Sequence, residues 1–314
     1  MANPSHGLTQ GWFSLPIRIR SCTPKFDLIR HGIVVSPLCL PLIPLLMNIA
    51  ALRKLRSRLA ADQVTHGLWV TLESASITEI AVGLGLDFVV IDTEHGHLDW
   101  GDVVQHIRAA VRSDTVTLVR VTELNTGLIK RALDIGADGV VVPWVETPEQ
   151  LAHAVACAHY PPRGIRGIGG ERATCWGRAL PEHVREAEEN VLVVPILETV
   201  QAGRNIEALC AVPGVELFQF GPADYSSTAG FAGQWEGPGV AAELLRLKDV
   251  IRRHGKQVGV LGTSPENLRE REAQGFRFLG LGMDASLLIR AVSDSLTAVG
   301  RPRRLQTSFH PGEV

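Results

Sequence analysis

From His66 onward, apolar positions fall in short β-branched runs separated by stretches with an apolar residue every third or fourth position. Eight runs read as strands: GLWVTL (67–72), DFVVID (87–92), TLVRV (117–121), GVVVPW (139–144), VLVVPIL (191–197), ELFQFG (216–221), QVGVLG (257–262) and FRFLGLG (276–282). The intervening segments, such as SITEIAVGLGL and NTGLIKRALDIGA, have helical spacing and close on a glycine of the kind that commonly ends a helix. MNIAALRKLRSRLAADQ, ahead of the first strand, reads as an amphipathic helix. Eight βα repeats predict an α/β fold, the TIM (β/α)8 barrel, with its chemistry at the C-terminal ends of the strands. A doubly wound sheet would need a glycine-rich phosphate turn after its first strand, and TLESAS is not one. GIRGIGG (164–170) follows YPP instead of a strand and is read as an active-site loop.

The first 46 residues break this pattern, mixing arginines with an apolar run interrupted by Pro37, Pro41 and Pro44. Such a run is a poor spanning helix for about 30 Å of hydrocarbon, so a membrane anchor is not expected. We expect residues 1–46 to be a disordered extension, or upstream sequence if Met47 is the true start, followed by one barrel domain over 47–300 and a tail over 301–314. Lysine plus arginine number 31 against 33 acids, a net charge of −2, which argues against nucleic acid as the main partner. Five cysteines without CxxC spacing suit reduced thiols and a cytoplasmic setting, and exclude a structural zinc site.

Polar residues gather where the barrel would have its mouth. The second strand ends in Asp92, Glu94 and His95, the third carries Arg120, the fifth ends at Glu198, and the sixth runs into GPADYS with Asp224. Glu198 and Asp224 are hard oxygen donors of the kind that hold Mg²⁺ or Mn²⁺ with help from water and substrate oxygens, although Glu198 could equally cap the next helix and Asp224 could be a turn acid. His95 is a candidate general base, and Asp134 in RALDIGADG is either the carboxylate that orients it or a helix-end acid. Asp92 is read as holding the loop. Arg120 interrupts an apolar strand and needs an anion, either a substrate oxygen or an internal partner at Asp92 or Glu94. His97 and His106 are read as ordinary surface or core histidines.

These segments, with LIKRALDIGADGVVVPWVET, YPPRGIRGIG, ILET and GLGMDASLL, resemble in order and spacing the HpcH/HpaI family of class II, metal-dependent pyruvate aldolases, over roughly 47–299. The resemblance implies a barrel of the phosphoenolpyruvate/pyruvate type with a swapped C-terminal helix and a homo-oligomer, trimer or hexamer. It implies that Glu198 and Asp224 bind a divalent metal (Mg²⁺, Mn²⁺ or Co²⁺), that His95 paired with Asp134 is the base, and that Arg120 stabilises the substrate oxygen. Amides of the turn Gly221, Pro222, Ala223 and Asp224 would hold the carboxylate. The implied reaction is reversible retro-aldol cleavage of a 4-hydroxy-2-oxo acid to pyruvate, or a close 2-oxo acid, and an aldehyde.

Three departures, all expected near the mouth, bear on the aldehyde acceptor. Ile196 stands where some members carry glutamine, Thr93 and His97 vary the usual DGEHAP, and ERATCWGR (171–178) is shortened. Three rival readings are weighed against the aldolase: HGH (95–97) as a zinc pair of a barrel hydrolase, an acyl-CoA lyase of the citramalyl or malyl type, and a non-catalytic metabolite-binding barrel. A lysine-dependent mechanism is not expected, because Lys130 lies in a predicted helix.

Overall fold

A computed structural model describes residues 47–301. The expectations for the leader and for residues 302–314 fall outside the described residues. Eight parallel strands, β1 (Thr65–Val70), β2 (Phe88–Asp92), β3 (Val116–Arg120), β4 (Gly139–Val142), β5 (Leu192–Leu197), β6 (Leu217–Phe220), β7 (Gln257–Leu261) and β8 (Phe278–Met283), close into a barrel in sequence order. The expected TIM fold is therefore present. α1 (Ile49–Ala60) precedes the barrel. Around it lie α2 (Ser76–Gly83), α3 (Trp100–Ala110), α4 (Thr126–Asp134), α5 (Pro148–Ala158), α6 (Leu180–Asn190), α7 (Val200–Arg204), α8 (Ile206–Ala211), α9 (Pro222–Thr228), α10 (Val240–Arg253), α11 (Pro265–Ala273) and α12 (Asp284–Ala298).

β2 and β3 are fully buried along their length, as expected of strands walled by helices on one side and packed interior on the other. Phe88 and Phe278 stack across the barrel interior with ring centroids 3.6 Å apart, so the lumen is filled and not a pore. Helix starts follow local chemistry: Asp99 caps α3 in a capping box with Asp102, and Thr147 caps α5 in another with Gln150, just ahead of Pro148.

Strand ends depart from the sequence reading for identifiable reasons. β1 stops at Val70 because the next two amides, of Thr71 and Leu72, donate to the buried Asp284 carboxylate at 3.0 Å instead of to a strand carbonyl. β4 stops at Val142 because Pro143 has no N–H and Trp144 takes a left-handed backbone with φ 54°.

The GIRGIGG segment is corrected in position. It follows α5, which starts beyond the C-terminal end of β4 and runs back, so Gly164–Gly170 lies at the N-terminal face of the barrel, away from the mouth. ERATCWGR follows it there, with Arg172 donating to the carbonyl of Ile135 just past α4. This shortened segment is therefore not at the mouth of the same chain.

Candidate active site

The C-terminal ends of β2, β3, β5 and β6 surround a cavity of about 160 Å³ lined by His95, Arg120, Glu198, Gly221, Pro222, Ala223 and Asp224, with Trp69, Ile196, Gln219, Phe220, Trp235, Leu261 and Met283. Barrel closure has thus brought together groups spread over more than a hundred sequence positions. Strand register explains the innermost pair: Asp92 and Arg120 are partners on β2 and β3, so both point to the same side.

Arg120 Nε donates to Asp92 Oδ1 at 2.9 Å, a second guanidinium nitrogen pairs with Asp92 Oδ2, and Nη1 lies 2.9 Å from Glu94 Oε2. Trp69 supports this fork from below, its indole N–H donating to Asp92 Oδ2 at 3.1 Å and its ring lying 5.4 Å from the guanidinium carbon. The amides of Glu94 and His95 also donate to Asp92 Oδ1. Burial works against charge on Asp92, yet Arg120 and these two amides hold its carboxyl below the usual range. Of the two partners expected for Arg120, the internal one is present, as Asp92 and Glu94, and Arg120 also lines the cavity. Asp92, fully buried and bonded on both oxygens, is an anchor for Arg120 and the loop and not a group open to substrate.

Glu198 is 2% exposed at the end of β5, and its Oε1 accepts the Trp144 amide at 2.7 Å. The left-handed turn at Trp144 aims that N–H. Burial pushes the Glu198 carboxyl up to about 7; the Trp144 bond opposes this, while the nearby Glu94 and Asp224 charges reinforce it. Glu94 is likewise raised, chiefly by burial. Gly221 is required here, since a Cβ would lie 2.8 Å from both Cβ and Oε2 of Glu198.

No group of three or more acids, histidines or cysteines forms a ready-made metal cage among the described residues. What is present is an acid-rich rim, Glu94, Glu198 and Asp224, facing a single arginine. A hard cation bound by Glu198 and Asp224 would relieve that repulsion, so the donor set fits a Mg²⁺-type ion that completes its shell with water and substrate oxygens.

Asp134 does not meet His95 within one chain: it is the last residue of α4, at the N-terminal face, and its Oδ1 accepts from Arg166 at 2.8 Å. The helix-end reading describes it there. In the turn expected to hold a carboxylate, the Gly221 amide donates to the Leu197 carbonyl at 3.1 Å and Pro222 has no N–H, so the amides of Ala223 and Asp224 are the ones left to donate. His97 is exposed, 3.6 Å from Glu73, and His106 is buried between Thr78 and the Leu72 carbonyl, as ordinary histidines should be. Lys130 is exposed on α4, off the mouth. Trp69, Trp235, Gln219 and Met283 were not singled out from the sequence; a tryptophan or glutamine inside an apolar strand was the available signal for Trp69 and Gln219.

Comparison with known proteins adds the lineage. Residues 65–291 match the model of the HpcH/HpaI aldolase/citrate lyase family. The chain belongs to this family. It is 37% identical over 240 residues to a 4-hydroxy-2-oxovalerate aldolase of Rhodococcus jostii, covering 76% of this chain and 92% of the relative. A hydroxypyruvate/pyruvate aldolase of Chromohalobacter salexigens is 32% identical, covering 74% of this chain and 92% of the relative. The crystal structure of an HpcH/HpaI family protein from Burkholderia cenocepacia superposes with a TM-score of 0.75 at 32% identity, covering 79% of this chain and 99% of that one. The Burkholderia cenocepacia structure superposes on the closed eight-stranded barrel around which the cavity is built.

Proposed function

We propose that this HpcH/HpaI barrel is a divalent-metal-dependent carbon–carbon lyase that cleaves a 4-hydroxy-2-oxo acid to pyruvate, or a close 2-oxo acid, and an aldehyde. The observation that carries the reading is the convergence of Glu198, Asp224, Arg120 and His95 on one small cavity. A Mg²⁺, Mn²⁺ or Co²⁺ ion held by Glu198 and Asp224 would supply Lewis acidity at the 2-oxo group.

In cleavage, His95 at the rim takes the proton of the 4-hydroxyl. The O–H electron pair becomes the aldehyde C=O, the C3–C4 bond breaks, and its electrons pass into the enolate of the 2-oxo acid, which takes a proton at C3 to leave as pyruvate. Arg120, held flat by Asp92 and Glu94, offers its remaining N–H groups to the oxygen on which negative charge grows. The amides of Ala223 and Asp224 are offered to the carboxylate. Among the described residues no lysine lines this cavity for a Schiff-base role, Lys130 being on the outer helix.

The aldolase names of relatives at 32–37% identity, each matched over 92% of its length, support this reading over an acyl-CoA lyase. HGH as a zinc pair is not favoured, because His97 points to Glu73 on the surface. The test is pyruvate release, read with lactate dehydrogenase, from a panel of 4-hydroxy-2-oxo acids with and without EDTA. Turnover restored by Mg²⁺, Mn²⁺ or Co²⁺ is the expected result; turnover indifferent to EDTA would remove the metal from the scheme, and no cleavage at all would leave a metabolite-binding barrel.

A further inference from the structure

The end of the barrel opposite the mouth carries two adjoining cavities that the proposed chemistry does not use. One, of about 140 Å³, lies beneath α1 at the starts of β5 and β6, walled by Leu52, Leu55, Leu59, Leu192 and Leu217. The other is a polar cleft of about 440 Å³ between Arg53 of α1, His159 and Arg163 beyond α5, Glu188 and Glu189 near the end of α6, and Gly214 ahead of β6. Arg56 and Glu216 line both, and their partly exposed ion pair is of the weak kind that gives way to a competing ligand.

The cleft contains groups with unspent hydrogen-bonding capacity of both signs. His159 is 3% exposed and gives its Nδ1 hydrogen to the Val155 carbonyl at 2.8 Å, so Nε2 is left as a lone-pair acceptor without a partner. Burial, helped by the Arg163 charge, lowers its pKa, and the ring stays an acceptor at neutral pH. Glu188 and Glu189 sit in the last turn of α6, the negative end of a helix, with no basic residue in that turn. A donor that meets His159 beside these carboxylates is best satisfied as a cation. Arg53 and Glu189 are exposed and have no ion pair among the described residues. Arg163 spends Nη1 on Glu188, while its Nη2 lies against Gly214, where a Cβ would stand 3.3 Å away. These two guanidinium groups call for an anion. A plain anion would meet the glutamates and the imidazole lone pair, and a plain cation would meet the arginines, so the cleft suits a ligand that carries both charges.

We infer that this face binds an α-amino acid with an apolar side chain. Its ammonium donates to His159 Nε2 beside Glu188 and Glu189, its carboxylate accepts from Arg53 and Arg163, and its side chain enters the leucine-walled cavity beneath α1. The site shares no residue with the mouth, so it stands or falls apart from the lyase reading.

The test is isothermal titration calorimetry of the full chain with four probes. These are L-leucine, 4-methylpentanoate, which lacks the ammonium, 3-methylbutylamine, which lacks the carboxylate, and L-alanine, which lacks the longer side chain. We expect saturable binding of L-leucine, with each of the other three weaker by about ten-fold or more. Arg53→Ala and Glu189→Gln alter exposed positions and should leave the thermal midpoint unchanged. Arg53→Ala should lower the affinity for L-leucine toward that of 3-methylbutylamine, and Glu189→Gln toward that of 4-methylpentanoate. The absence of saturable heat with L-leucine up to about 10 mM overturns the inference. So does 4-methylpentanoate binding as tightly as L-leucine, which would make the cleft a site for a plain amphiphilic anion. L-alanine matching L-leucine removes the apolar cavity from the site, and an L-leucine affinity unchanged in either variant removes the cleft; each overturns the inference as stated.

Discussion

Arg120 divides its guanidinium between Asp92 and Glu94, and lysine could not reproduce that planar fork. Arg120→Lys is expected to lower kcat/KM by about 10² or more, the scale of losing one fixed donor to a developing oxyanion, measured by steady-state pyruvate release. His95→Ala should lower the retro-aldol rate by about 10²–10⁴ with an unchanged circular dichroism spectrum, as for a lost general base on an exposed loop. Away from the mouth, His183 is fully buried and burial, followed by the charge of Arg166, lowers its pKa to about 4. The unfolded chain therefore takes up this proton first, so the stability the neutral ring allows is complete above the ordinary value of 6.5 and is lost as pH falls toward about 4. His183→Phe should flatten the fall in thermal midpoint between those pH values, by the equivalent of up to about 3 kcal/mol. Residue identity showed which groups could do chemistry. It did not show that Asp92 spends both oxygens on neighbours, because that depends on the β2–β3 register.

The order and type of elements were legible because a strand walled on both sides and a half-buried helix leave different apolar periods. Their ends were less so: β1 and β4 stop short where long-range partners, Asp284 and Glu198, capture amides that a strand would have used. Asp284, at the start of α12, accepts from the Thr71 amide and hydroxyl and the Leu72 amide, pinning the end of β1 beside β8. Asp284→Ala should cost about 2–4 kcal/mol in denaturant unfolding, because several buried donors lose their partner together. By contrast, Thr147→Ala removes a single cap from α5 and should cost about 1 kcal/mol. A Thr147 loss equal to that of Asp284 would show that the β1–β8 seam is not specially held by this carboxylate.

At the scale of the molecule, α12 leaves Leu288, Ile289 and Val292 about half exposed, and only its first residue is buried. A second copy of the chain is the occupant we propose for this stripe, in line with the helix exchange and the trimer or hexamer implied by the family resemblance. Leu288→Glu/Val292→Glu should shift the native mass measured by light scattering toward the monomer; an unmodified protein that is already monomeric would refute the assembly. No helix among the described residues is long and apolar enough to cross a membrane. By itself the sequence determined the eightfold alternation, the barrel and the acids and bases available to its mouth, since these follow from local periodicity and residue chemistry. Only the tertiary structure decided that GIRGIGG and Asp134 face away from that mouth and that Arg120 is tied to Asp92 and Glu94. Those facts depend on which end of the barrel a helix returns to and on strand register, and both are set by contacts between residues far apart in the chain.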